Sequence, residues 1–144
     1  MTINSCRKGK QGERDFANLV NTIFGWTKEE GVRRTPCSGA LSSFKGDLIQ
    51  TKGALEKYHF EIKNEKSVRL PAYHRQAEED CSYDKTPVVG YKMGGQWYCS
   101  LKADAFLQLL KKLDNYAGIS APLYHVDPAV NEIIKEVIQD DKKI

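Results

Sequence analysis

Four side chains carry a spacing that could do chemistry: Asp47, then thirteen residues, then Glu61-Ile62-Lys63, with Glu13 upstream. If the strands bearing Asp47 and Glu61 pair, the two carboxylates converge. At a separation of about 4 Å they repel by up to ~4 kcal/mol at an effective dielectric near 20. A cation belongs between them. A few hard oxygen donors suit Mg²⁺, which keeps several waters, with Mn²⁺ as a substitute. Such an ion polarises a phosphodiester, while Lys63 supplies charge or steadies an attacking water. The same residues also fit a plainer arrangement, in which Glu61 and Lys63 are charge partners on a solvent-facing strand and Asp47 is a turn acid after Gly46. The acid-x-Lys pattern recurs at Asp140-x-Lys142 and Asp141-x-Lys143, so its context has to decide.

That context is a set of alternating elements. Phe16, Leu19, Val20, Ile23 and Phe24 keep a helical period, which predicts a first helix from about Gly12 to Phe24, ended by Gly25. Glu13 lies on that stripe, one turn before Phe16, where it is either an acid favoured by the helix dipole or a functional group. Val32 to Thr35 and Asp47 to Gln50 read as short strands. Thr51 to Glu56 reads as a hairpin connection, and Lys57 to Lys63 as a strand alternating Tyr58, Phe60 and Ile62 against His59, Glu61 and Lys63. Pro71 opens a second helix reaching Asp80. Thr86 to Tyr91 and Gln96 to Ser100 follow as strands joined by Met93-Gly94-Gly95, and a third helix runs from about Lys102 to Leu113. This order predicts an α/β fold with a central mixed β-sheet flanked by helices. A tail helix with Asp127 as cap and Pro128 at its first position carries the apolar stripe Val130, Ile133, Ile134, Val137 and Ile138.

The 144 residues suffice for one core, and no repeat or low-complexity linker divides them. Mean hydropathy of −0.55 argues against a membrane protein. Met1 to Asp15 have no apolar stretch of the signal-peptide kind, so the expected location is cytoplasmic. The net charge of +3 hides an asymmetry. Residues 1–45 hold eight basic and four acidic side chains, and residues 114–144 three basic and six acidic. The imbalance fits ordinary solvated charge, and it also fits a polyanion bound on the side of the N-terminal third. Four cysteines without a C-x-x-C and three scattered histidines give little support to structural zinc.

Four elements occur in order: Lys8-Gly9-x-x-x-Glu13-Arg14, Arg34-Thr35-Pro36-Cys37-Ser38-Gly39, Asp47, and Glu61-Ile62-Lys63. Together they resemble the archaeal-type Holliday junction resolvases of the PD-(D/E)XK nuclease superfamily over roughly Lys8 to Ser100. The resemblance implies a restriction-endonuclease-like fold and a metal site formed by Asp47, Glu61 and the Ile62 carbonyl, assisted by Glu13. It also implies a catalytic Lys63 and a serine important for cleavage at Ser38. Arg7, Lys8, Lys10, Arg14 and Arg34 would contact phosphates, Ser38 in the loop after the basic strand would also face the DNA, and Gln76 matches a supporting polar position. Gly46 stands where the motif name has proline, and the likeness fades beyond Leu113.

The expected protein is thus a nuclease domain over 1–113 with a C-terminal extension over 114–144, whose helix packs on the same domain, at a dimer interface or on a protein partner. Its expected activity is Mg²⁺-dependent cleavage of branched DNA, most simply four-way junctions, by a homodimer whose two-fold symmetry suits a two-fold substrate. The alternatives are a repair, recombination or restriction-like nuclease on duplex or flap DNA, and a non-catalytic DNA-binding or protein-interaction module.

Overall fold

The computed structural model describes residues 2–36 and 46–117. Two compact units, Met1–Lys102 and Ala103–Ile144, make up the chain. The first contains helix α1 (Thr2–Phe24), strands β1 (Arg33–Arg34) and β2 (Leu48–Ile49), a 3₁₀ turn (Gly53–Lys57), strand β3 (Tyr58–Lys63), helix α2 (Leu70–Asp80), and strands β4 (Thr86–Met93) and β5 (Gln96–Ser100). In the second unit, helix α3 (Ala103–Ala117) is amphipathic, with Phe106, Leu107 and Leu110 in one stretch of its surface. Ser38 and the expected tail helix from Pro128 to Gln139 lie outside the described residues. Among the described residues no helix is long and apolar enough to cross a membrane.

The sheet is mixed. β3 runs parallel to β4, with Glu61 opposite Val89 and Ile62 opposite Gly90, and β4 runs antiparallel to β5. β4 and β5 turn through Gly94 and Gly95, both at positive φ (59° and 80°), which a two-residue hairpin of this hand requires. β1 and β2 form a separate antiparallel pair. Alternation along the strands divides the interior. Phe60, Ile62 and Val88 join Phe16, Ala17, Val20, Val32 and Leu48 in one core, while Val89 packs with Tyr73 and Ala77 of α2 in another. The sheet therefore lies between α1 and α2. Helix α1 packs tightly at Gly90, where a Cβ would come within 2.8 Å of both Phe16 and Ile62.

Three local expectations are corrected. Helix α1 begins at Thr2 rather than near Gly12, so Glu13 stands mid-helix and the N-terminal dipole does not account for it. Its buried face is Glu13, Phe16, Ala17, Val20 and Asn21, whereas Leu19, Ile23 and Phe24 are exposed. The helix is rotated because Ala17 allows close approach and two polar side chains find partners inside. Thr51 to Glu56 is not a simple hairpin connection: a 3₁₀ turn occupies Gly53–Lys57.

Candidate active site

Asp47 joins the two-stranded pair to the three-stranded sheet. Its backbone N–H donates to the Phe60 carbonyl (3.0 Å) and its carbonyl accepts the Thr35 N–H (2.8 Å). Its carboxylate Oδ2 accepts the Ile62 N–H at 2.6 Å. The side chain is thereby fixed beside the middle of Glu61-Ile62-Lys63. The approach to Asp47 depends on Gly46, whose φ of +94° belongs to the left-handed region and whose Cβ would lie 3.2 Å from the His59 ring. Thr35, fully buried, donates its hydroxyl to the Gly46 carbonyl at 2.7 Å and holds that turn.

Glu61 and Lys63 are not a solvent-facing pair. Every residue from His59 to Ile62 is buried, because both faces of β3 are covered, and Glu61 is 4% exposed. Lys63 Nζ lies 2.7 Å from Glu61 Oε1 and donates to Gln76 Oε1 at 2.8 Å, with the Tyr73 ring centroid 5.8 Å away. Gln76 projects from α2, one turn after the buried Tyr73. Two acceptors thus aim one ammonium group, which fixes a charge that would otherwise sample many rotamers.

Burial and the neighbouring Glu61 carboxylate push the Asp47 carboxyl up to about 7, with Glu13 adding to the repulsion. The Ile62 N–H and Lys63 oppose this without cancelling it. Burial likewise raises Glu13, against the pull of Arg34. Arg34 Nε and Glu13 Oε2 lie 2.6 Å apart, yet the N–H is not directed at the oxygen and neither atom completes a hydrogen bond. The two form a close charge pair at the edge of the carboxylate group.

A family model described as "Phage putative PDDEXK endonuclease" matches residues 4–138. The chain belongs to that family. Membership supports a nuclease acting on DNA and places the chain in the PD-(D/E)XK superfamily. No curated protein and no solved structure matches the chain.

PD-(D/E)XK nucleases generally use divalent metals. Among the described residues of this family member, no group of three or more His, Cys, Asp and Glu side chains is arranged to hold an ion. The fit rests instead on the carboxylate pair. Asp47 and Glu61 are hard oxygen donors whose mutual repulsion a cation relieves, and Mg²⁺ needs only one or two carboxylates. Of the residues singled out in the sequence, Glu13, Asp47, Glu61, Lys63 and Gln76 are brought together. Arg34 meets Glu13, while Arg7, Lys8, Lys10 and Arg14 lie along the outer surface of α1. Thr35 and Asn21 escaped sequence reasoning. Asn21 clamps Val32 by donating to its carbonyl (2.9 Å) and accepting its N–H (2.7 Å), which sets the approach to β1. Asn21 lies off the apolar stripe of Phe16, Leu19, Val20, Ile23 and Phe24, so no sequence signal marks it.

Proposed function

We propose that this nuclease is a metal-dependent endonuclease that cuts branched DNA, with four-way junctions as its preferred substrate. The observation that carries the reading is the cluster of part-buried Asp47, buried Glu61 and part-buried Lys63, with Lys63 aimed by Gln76. Asp47, Glu61 and the Ile62 carbonyl would hold Mg²⁺, with Mn²⁺ as substitute, and the bound ion would neutralise charge on the phosphodiester. Lys63 supplies a fixed positive charge to orient the attacking water or meet a phosphate oxygen. Gln76 keeps its Nζ in place, and Glu13 supports the acidic group from α1. Arg7, Lys8, Lys10, Arg14 and Arg34 would neutralise phosphates, giving affinity that falls steeply with salt. Ser38, which follows β1 in sequence, would contribute to cleavage.

Preference for junctions is supported by the order and spacing of the four sequence elements shared with archaeal-type resolvases. A homodimer would present two such sites to the two strands of a junction. In this reading residues 1–113 form the nuclease and the extension 114–144 serves dimerisation or a protein partner, with the enzyme acting in the cytoplasm. The deciding experiment compares cleavage of linear, flap and four-way DNA in Mg²⁺, with Glu61→Gln as control. Preferential cutting of the four-way substrate by the wild type alone is expected. Equal rates on all three substrates would replace the resolvase reading with a general repair or restriction-like nuclease, and unaltered function in Glu61→Gln would leave a binding module.

A further inference from the structure

Beside the Glu13–Arg34 pair, a cleft of about 430 Å³ opens between α1 and the loop leading into β1. Its inner wall is formed by the buried Ala17, Val32 and Asn21, the amide of Asn21 being already committed to the Val32 backbone. Its rim carries the cations Arg14, Lys28, Arg33 and Arg34 against one acid, Glu29. Arg33 is tied to the carbonyls of Lys28 and Glu29 (both 3.2 Å), which fixes the loop and leaves the cleft preformed. Among the described residues, Arg14 and Lys28 have no hydrogen-bond or ion-pair partner, and neither does the Asn18 side-chain amide on the same wall.

A bare phosphate would use the rim and leave most of this space empty. The volume falls within the roughly 300–1,000 Å³ of small-ligand sites, and the ligand that matches has a flat apolar body, hydrogen-bonding edges and one anionic group. We propose that the cleft seats a single unpaired nucleotide of the DNA substrate, its phosphate against Arg14 and Lys28, its base over Ala17 and Val32 with an edge on the Asn18 amide. Enzymes that accept extruded bases hold them this way, between apolar side chains and a few polar groups. That the nucleotide belongs to a branch point rests on the branched-DNA reading, whereas the nucleotide chemistry of the cleft does not. Arg34 lines the cleft and also touches Glu13, so occupancy and the acidic site share a residue.

The test uses the full chain without metal, titrated separately with dAMP, deoxyadenosine and inorganic phosphate. Binding of dAMP is expected to be at least about tenfold tighter than that of either fragment, and Lys28→Ala and Asn18→Leu should each weaken it by about tenfold. Phosphate binding as tightly as dAMP, or dAMP binding untouched by both substitutions, would overturn the proposal. A second comparison sets duplex DNA with a one-nucleotide bulge against the fully paired duplex. Lys28→Ala should cost the bulged DNA at least about fivefold more than the paired one, and an equal loss on both would refute an unpaired-nucleotide site. Failure of the branched-DNA reading appears instead in the cleavage panel and leaves the dAMP titration unaffected.

Discussion

The carboxylate of Asp47 accepts the backbone N–H of Ile62 at 2.6 Å, so the first acid of the site is anchored to the residue between the second acid and the lysine. One hydrogen bond thereby sets the spacing of two like charges, and the cost of holding them together appears as a carboxyl pushed up to about 7 by burial and by Glu61. The site is built against repulsion and gains from a cation.

That cost gives the metal-free protein a defined pH dependence. The folded-state value of Asp47 lies above its ordinary 3.8, so between about pH 4 and 7 the native state binds more protons than the unfolded chain. The contribution of Asp47 to stability is therefore greatest at the acidic end and is lost as pH rises through 7, by up to about 4 kcal/mol. Asp47→Asn retains an acceptor for the Ile62 N–H but has no charge to repel. Chemical denaturation of both proteins from pH 5 to 8 should show the wild type falling relative to Asp47→Asn. Parallel curves would show that the repulsion is absent.

Lys63 is held by Glu61 and Gln76, and only the latter is neutral. Gln76→Ala removes one acceptor while leaving the carboxylate pair intact. We expect cleavage to slow by about tenfold through poorer positioning, with DNA affinity changed little. Lys63→Ala should cost on the order of 10²–10⁴ in rate. Single-turnover cleavage and binding titrations separate the two effects, and equal losses in rate and affinity for Gln76→Ala would contradict a positioning role.

Much of this site was legible because its strand is regular. The alternation of Tyr58, Phe60 and Ile62 against Glu61 and Lys63 fixes which side chains share a face, and Pro71 fixes the helix that brings in Gln76. The face itself was read incompletely: alternation with polar residues implies solvent on one side, but α2 covers it, and covering depends on tertiary packing that no local period records. The start of α1 was missed because its first turns bury almost nothing and so leave no apolar stripe. Asn21 and Thr35 were missed because each satisfies backbone groups distant in sequence, Asn21 at Val32 and Thr35 at Gly46.

Gly46 replaces the proline of the motif name for a geometric reason. Its φ of +94° is inaccessible to proline, whose ring holds φ near −65°. Gly46→Pro should destabilise the protein by about 3 kcal/mol or more, since it also displaces the carbonyl that Thr35 binds. Gly46→Ala should cost about 1–3 kcal/mol from left-handed strain and the close His59 ring. Urea midpoints check both values, and a stabilised Gly46→Pro would mean that the turn adopts another conformation.

The Asn21 clamp predicts a large effect from a residue remote from the acids. Asn21→Ala strips partners from both the N–H and the carbonyl of Val32 in a buried setting, at about 1–3 kcal/mol for each group left unsatisfied. Asn21→Asp keeps an acceptor for the N–H but places an oxygen against the Val32 carbonyl, so it should be no better than alanine. Equilibrium denaturation of the two variants measures this, and a loss below about 0.5 kcal/mol would show that water replaces the clamp.

Metal binding supplies the last prediction and joins stability to chemistry. An ion that binds only the folded state stabilises it by an amount that grows with concentration, about 2.7 kcal/mol at one hundred times its dissociation constant. At pH 8 Asp47 is ionised, so Mg²⁺ or Mn²⁺ should raise the melting temperature, and chelation should reverse the rise. At pH 5.5 the proton held by Asp47 competes with the ion, and the rise should shrink. Glu61→Gln removes one donor and the repulsion, and also the charge paired with Lys63, so the readout is the response to metal, which should disappear. Thermal melts at the two pH values test both halves. A metal response that survives in Glu61→Gln would place the ion elsewhere, and a response that is equal at both pH values would separate it from Asp47.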